Sequence, residues 1–124
     1  MKKFLISLSV VFMSFSAWAD KPKCFSSSGG YCQYEGTIER IYVNDKGHIL
    51  VYFDTEFDAG AWEVAGFDAK HTSAGIVNYK EKPEFGKMFY STALSAQAQN
   101  KRVQLQMRKT LNGYMIIDRI WLTK

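Results

Sequence analysis

Histidine and cysteine are scarce, with two of each in 124 residues. Neither His48 nor His71 has a serine, cysteine or acid at a spacing typical of a nucleophile and its base. Two thiols without a nearby histidine are too few ligands for a structural metal site. We therefore predict a protein that is not an enzyme, with no catalytic residues, no cofactor and no metal.

An acidic run offers the one pattern that resembles a metal loop. Asp54, Glu56 and Asp58 place oxygen atoms at alternate positions, as a calcium loop does. Ala59 and Ala65 stand where an EF-hand loop needs glycine and glutamate. The pattern therefore favours a solvated acidic loop over a calcium site.

The chain also lacks a strong charge excess, with 16 basic and 12 acidic side chains. Without Lys2 and Lys3, 14 basic residues remain against 12 acidic ones, a formal charge of +2. Such a small excess attracts phosphate backbones weakly. Four side chains could in principle stack on bases, Tyr52, Tyr79, Arg108 and Tyr114. This charge balance, together with the export signal predicted at residues 1–19, argues against a nucleic-acid partner.

Residues 1–19 have the three parts of a secretory signal: Lys2 and Lys3, an apolar run, and Ala17-Trp18-Ala19 as a cleavage site. The run is too short to span a bilayer and no later stretch is apolar enough, so we expect no stable membrane insertion. An uncleaved anchor is the alternative. We predict an exported protein, periplasmic or secreted, with an N-terminal segment at residues 20–34 and one domain at residues 35–124.

Cys24 and Cys32 lie in the stretch CFSSSGGYC. In an oxidising compartment this pair predicts a disulfide that ties the N-terminal segment together. A redox pair would more often have the spacing CxxC. The structural disulfide is therefore the favoured interpretation.

The rest of the chain alternates in hydrophobicity with period two, which predicts strands. The expected strands are residues 35–43, 48–53, 76–80, 102–108 and 114–122. The first changes its apolar face, which indicates either a bulge near Glu39 and Arg40 or a strand that curls and serves two sheets. The long connection at residues 54–75 contains AWEVA at residues 61–65, a candidate for a further short strand.

One helix is expected at residues 84–100, directly after Pro83. Its apolar residues recur at helical spacing and predict a stripe that covers the core. The stripe consists of Phe85, Met88, Phe89, Thr92, Ala93 and Ala96. Three strands, a helix and two strands follow one another in the order of an OB-fold. We therefore predict a mainly β fold, a five-stranded OB-fold-like barrel with one α-helix between strands 3 and 4.

Together the leader, the cysteine-tied segment and the stretches GTIERIYV, HILVYF, FGKMFYSTALSAQAQN and KRVQLQMR resemble the OB-fold B subunits of AB5 toxins. The subtilase-cytotoxin and pertussis-toxin branch is the nearest, with small exported bacterial proteins of the same build. The resemblance covers most of the mature chain and rests on architecture. It implies a binding subunit that assembles into a ring with its helices around a pore.

Two sets of residues are candidates for contacts. Trp62 and Phe67 in the long connection are expected either to anchor the core or to offer a surface for a ligand. On the outer helix face, Tyr90, Leu94 and Gln97 are either scattered surface residues or a subunit interface.

The predicted function is an exported, non-catalytic binding or assembly module for a glycan or protein partner, as a homo-oligomer in its toxin-like version. The alternative is a periplasmic protein that inhibits or stabilises one partner protein.

Overall fold

A computed structural model describes residues 21–123. The predicted signal peptide lies outside these residues. The strands are β1 (Lys23–Phe25), β2 (Tyr31–Gly36), β3 (Ile38–Val43), β4 (His48–Phe53), β5 (Ala74–Asn78), β6 (Val103–Leu111) and β7 (Tyr114–Leu122). One α-helix, α1, spans Pro83–Ala98, and short 3₁₀ helices span Ser27–Gly29 and Ala61–Ala65. Among the described residues, no helix combines the length and apolar character needed to cross a membrane.

All seven strands belong to one mixed sheet in the order β1-β2-β6-β7-β5-β4-β3. Every neighbouring pair is antiparallel except β5 and β7. The mainly β class and the single helix are confirmed. The strand count was wrong, because the predicted first strand divides at Thr37 and the N-terminal segment adds β1 and the start of β2.

The sheet is not a closed barrel. β2 and β3 are joined by one residue, yet β2 pairs with β1 and β6 whereas β3 pairs with β4 at the far end of the order. Within residues 21–123 no ladder connects β3 to β1 or β2, so the ring of hydrogen bonds stays open. The predicted bulge is confirmed, since the β3–β4 register shifts between Ile38 and Arg40.

The N-terminal disulfide is confirmed. Cys24 in β1 and Cys32 in β2 are direct register partners and are bonded to each other. The cross-link therefore fastens the short edge strand β1 to its neighbour, where three residues of ladder alone would fray.

The core lies between the inner face of the sheet and α1. Phe89, Ala93 and Ala96 of the predicted stripe are fully buried. Gly86 lets the helix approach the residue that follows β5 closely, because a Cβ at this position would collide with the Tyr79 Cβ atom. Met88 was wrongly assigned to the stripe and is 73% exposed. The reason is that the buried face of α1 is narrower than the predicted stripe and includes Gly86 instead of Met88.

The long connection after β4 closes one side of the core. The proposed short strand at residues 61–65 was wrong, because Ala61–Ala65 is a 3₁₀ helix between Gly60 and Gly66, both at positive φ. It inserts Trp62 and Ala65 into the core. The hydrophobic residues of AWEVA therefore follow helical and not alternating geometry.

Candidate functional site

A concave groove of about 340 Å³ lies on the outer face of the sheet. We call it the tyrosine groove, and it is lined by Tyr42, Asn44, His48, Leu50, Tyr52, Ile76, Asn112 and Tyr114. Its residues come from β3, β4, β5 and β7 and from the turns that follow β3 and β6. The groove therefore extends from β7 to β3 at the end of the sheet and includes the tips of two hairpins.

The strand register explains why these residues meet. Leu50 pairs with Tyr42 on one side and with Ile76 on the other, and register partners point to the same face. Tyr52 lies two residues from Leu50, and Tyr114 lies two residues before Ile116, the β7 partner of Ile76. Alternation along each strand thus brings three tyrosines around a small apolar floor.

The floor and walls of the groove differ in character. Leu50 and Ile76 are buried and form the floor. Tyr42 is 47% exposed, whereas Tyr52 and Tyr114 are half-buried. His48 and Asn112 supply imidazole and amide groups that can both donate and accept hydrogen bonds. The Asn44 side-chain oxygen already accepts from the Lys46 and His48 N–H groups, so Asn44 offers its NH₂ group as a donor. This combination offers aromatic faces for stacking beside polar groups that fix orientation.

Two contacts orient the groove rings. The His71 ring stacks on Tyr114 with centroids 3.9 Å apart and an interplanar angle of 20°. The Arg40 guanidinium carbon lies 4.1 Å from the centre of the Tyr52 ring. Side chains outside the groove therefore hold both rings before any ligand arrives, which lowers the entropic cost of binding.

The hydroxyl groups of the groove stay available. Within residues 21–123, the tyrosine hydroxyls that donate hydrogen bonds are those of Tyr34 and Tyr79, neither of them in the groove. Partial burial raises the pKa of the Tyr114 hydroxyl, and the nearby Tyr52 and Tyr42 raise it further. The Tyr114 hydroxyl is therefore neutral near pH 7 and can both donate and accept.

The predicted contact residues lie elsewhere. Trp62 is 5% exposed and belongs to the core, where its indole N–H donates to Asp68 at 3.3 Å. Phe67 is half-buried and packs against the same cluster. These positions match the core-anchor alternative. Ligand contact through either residue stays a prediction.

The outer helix face is placed as expected but is untested as an interface. Tyr90 is 40% and Leu94 44% exposed, whereas Gln97 is half-buried. Tyr90 also lines a shallow apolar groove with Val43 and Pro83. A subunit contact through these residues stays a prediction.

The acidic run is divided among different partners. Asp54 accepts hydrogen bonds from Thr37, Glu56 lies 3.3 Å from the Thr72 hydroxyl, and Asp58 forms an ion pair with Lys21. Among the described residues, no three histidine, cysteine or acidic side chains gather as metal ligands would. The run therefore serves as a set of separate surface contacts here.

Sequence reasoning named Tyr52 and Tyr114 as rings able to stack but missed the groove they share. Tyr42, Asn44 and Asn112 were not identified as site residues, and His48 was considered only as a possible catalytic base. The missing signal was partnership between strands, because the parallel pairing of β5 and β7 joins residues about 40 positions apart. Hairpin alternation alone gives each strand's outer face but not its neighbour.

Comparison of the chain with protein-family models, with curated proteins and with solved structures gives no match. The resemblance to toxin B subunits is thus an expectation from the sequence.

Proposed function

We propose that this protein is an exported, non-catalytic binding module with an OB-like fold, and that it binds a glycan in the tyrosine groove. The observation that carries the proposal is the cluster of Tyr42, Tyr52 and Tyr114 around an apolar floor, with free hydroxyls. Sugar rings present C–H faces that pack on aromatic rings and hydroxyls that exchange hydrogen bonds with amides.

The topology supports the same site. OB-folds bind oligosaccharides and oligonucleotides on the face of strands 2 and 3 and on the loops after strands 1 and 4. In OB-like numbering these are β4, β5 and the turns that contain Asn44 and Asn112. The small charge excess favours a neutral or weakly charged ligand over a nucleic acid.

The chemistry of the lining favours binding over catalysis. The groove residues comprise no serine, cysteine or carboxylate that could act as a nucleophile or as the partner of His48. Export is supported by the Cys24–Cys32 disulfide together with the leader-like residues 1–19. The resemblance to toxin B subunits supports a receptor-binding role.

A glycan-array screen of the purified mature protein tests the proposal, followed by titration of each hit by calorimetry. We expect Tyr52→Ala and Tyr114→Ala to weaken binding at least about tenfold, because a ring at the centre of a contact carries much of the affinity. Tyr90→Ala is the matched control, since it removes an exposed tyrosine from a different surface. Absence of glycan binding, or equal losses in all three variants, would contradict the glycan proposal.

A protein partner is the second candidate, carried by the exposure of Tyr90 and Leu94 on one helix face. In this version the protein forms a homo-oligomer, or inhibits or stabilises one periplasmic protein. Native mass spectrometry measures the oligomer, and pull-down from periplasmic extract detects a stoichiometric partner. A monomer at micromolar concentration without a captured partner would count against both forms.

A further inference from the structure

A second cavity of about 330 Å³ opens where β5 and β7 separate. These two strands pair in parallel at only two positions, Gly75 with Met115 and Ile76 with Ile116. Val77 and Ile117, the next residues of the two strands, line the opening. The cavity therefore results from the short parallel ladder, and we call it the gap cavity.

The floor of the gap cavity is apolar. Val77 and Ile117 are core residues, each 1% exposed. Phe85 from the first turn of α1, with Leu111 and Ile116, completes the lining, and all three are half-buried. A concave apolar lining of this volume falls in the range of small-molecule sites and favours an apolar body of similar size.

The rim carries charges of both signs, but most already have partners. Arg108 donates from Nη1 to the Ser28 carbonyl at 2.6 Å, and its Nε lies 3.5 Å from Asp118. Asp118 also accepts from the Gln106 amide. Glu81, which precedes α1, accepts from the Asn78 amide at 3.4 Å.

Two rim cations have no such partner. In the part of the chain that the structure describes, the ion pairs are Lys21 with Asp58 and Arg108 with Asp118, so Lys82 and Lys109 belong to neither. Three cations and two carboxylates line the cavity, which gives a net charge of +1. The charge left uncompensated at the opening is therefore positive.

The backbone at Lys109 places this charge at the rim. Lys109 adopts φ +60°, the left-handed region, inside β6. The β6–β7 register shifts between Met107 and Thr110, so Lys109 lies in a bulge. A bulge redirects a side chain that regular pleating would send elsewhere.

We propose that the gap cavity binds an amphiphilic carboxylate of the fatty-acid class. Its apolar chain packs on Val77, Phe85 and Ile117, and its carboxylate lies at the rim between Lys82 and Lys109. The apolar floor requires the chain, and the unpaired lysines select an anionic head group over a neutral or cationic one. This site is separate from the tyrosine groove and does not depend on the proposed glycan binding.

The test uses the purified mature protein and decanoate below its micellar concentration at low salt, titrated by calorimetry. Decanol and decyltrimethylammonium carry the same chain with a neutral and a cationic head. We expect decanoate to bind about fivefold more tightly than decanol, since two exposed lysines each contribute modestly, and decyltrimethylammonium to bind least.

Variants then separate the head group from the chain. The double variant Lys82→Gln with Lys109→Asn should lose the fivefold preference for decanoate and keep its affinity for decanol, and asparagine tolerates the left-handed backbone at position 109. Leu111→Trp fills the cavity and should weaken both ligands. Lys87→Gln, on the apolar groove beside Val43, is the matched control for charge.

Methyl NMR spectra of the same samples report the location of binding. Decanoate should shift the methyl signals of Val77 and Ile117, and a thermal melt of each variant shows that it is folded. Equal affinity for decanoate and decanol, an unchanged preference in the double lysine variant, or methyl shifts confined to other residues would each overturn the proposal. Loss of glycan binding in Tyr52→Ala with decanoate binding intact would show that the two sites are independent.

Discussion

Tyr34 in β2 and Tyr52 in β4 carry the same side chain in opposite surroundings. Tyr34 is fully buried, and its hydroxyl donates to the Thr37 carbonyl while it accepts from the Asp54 N–H at 3.0 Å. Tyr52 is half-buried in the tyrosine groove. A buried polar group whose hydrogen bonds are all made within the protein stabilises the fold, whereas an unpaired one at a concave surface is free for a ligand.

A hydrogen-bonded corner lies where β2 turns into β3, and it consists of Tyr34, Gly36, Thr37 and Asp54. Asp54 accepts from both the N–H and the hydroxyl of Thr37, each at 2.9 Å. A Cβ at Gly36 would come within 2.6 Å of the Tyr34 hydroxyl and 2.8 Å of the Asp54 carboxylate. A side chain at this position would therefore displace the Tyr34 hydroxyl or the Asp54 carboxylate from its hydrogen bonds.

The largest expected effect comes from truncating the Tyr34 ring, and the same change at Tyr52 is the comparison. Tyr34→Ala should lower the free energy of unfolding by about 4 kcal/mol, because it leaves a core cavity and unpaired groups at Thr37 and Asp54. Tyr52→Ala should cost at most about 1 kcal/mol, since its ring is half exposed. Urea unfolding followed by circular dichroism measures both. Equal losses would show that the groove is a structural part of the core.

Removing only the hydroxyl sharpens the comparison. Tyr34→Phe keeps the ring contact with Phe53, whose centroid is 4.5 Å away, but leaves the Asp54 N–H without its partner. We expect a loss of about 2 kcal/mol in the free energy of unfolding. Tyr52→Phe, the matched control, should change stability by less than about 0.5 kcal/mol and act on glycan affinity instead. A stable Tyr34→Phe protein would mean that water replaces the hydroxyl.

Acid should weaken the corner through Asp54. Burial would raise the pKa of this carboxyl, but the hydrogen bonds that it accepts, chiefly from Thr37, outweigh burial and lower the pKa below the ordinary value of 3.8. A carboxyl with a depressed folded-state pKa stabilises the protein above its unfolded pKa, and this contribution is lost as pH falls through the folded pKa. Stability should therefore decline as pH drops below about 4.

Variants at the corner isolate this pH effect. At pH 7 Asp54→Asn should be less stable than the wild type, but by a smaller amount than Tyr34→Phe, because Asp54 is exposed. In acid, the stability of Asp54→Asn should decline less steeply than that of the wild type. Thr37→Val removes the hydrogen bond from the Thr37 hydroxyl to Asp54, so its stability should lie between those of the wild type and Asp54→Asn. Thermal melts from pH 2 to 7 provide the measurement. Parallel profiles of the wild type and Asp54→Asn would exclude Asp54 as the source.

Local patterns carried most of the secondary structure. β4 and β7 have the predicted bounds, and the helix begins one residue and ends two residues before the predicted limits. Period-two alternation and the position of Pro83 were enough for these elements, because each depends on neighbours in the sequence. The Cys24–Cys32 disulfide could also be predicted, because the leader-like residues 1–19 indicate an oxidising compartment and the chain has only these two cysteines.

Long-range pairing could not be read from the sequence in the same way. The division of the first strand at Thr37 depends on which strands β2 and β3 meet, β6 and β4 respectively, and a single alternation pattern does not contain that information. Burial of Trp62 depends on a 3₁₀ helix that five residues of AWEVA do not distinguish from a strand. The tyrosine groove likewise exists only once β3, β4, β5 and β7 are aligned.

The smallest expected effects are two coupling energies, measured by double-mutant cycles on one pair of side chains in the corner and one pair in the tyrosine groove. In the corner, Asp54→Ala combined with Thr37→Val should give a coupling energy of about 1 kcal/mol, since a charge-assisted hydrogen bond joins the two side chains. In the groove, Arg40→Gln combined with Tyr52→Leu should give about 0.5 kcal/mol, the contribution of an exposed cation–π contact. Urea unfolding of the four proteins in each cycle provides the values. A larger coupling in the groove than in the corner would reverse the comparison, because the Arg40–Tyr52 contact would then contribute more to stability than the hydrogen bond between Thr37 and Asp54.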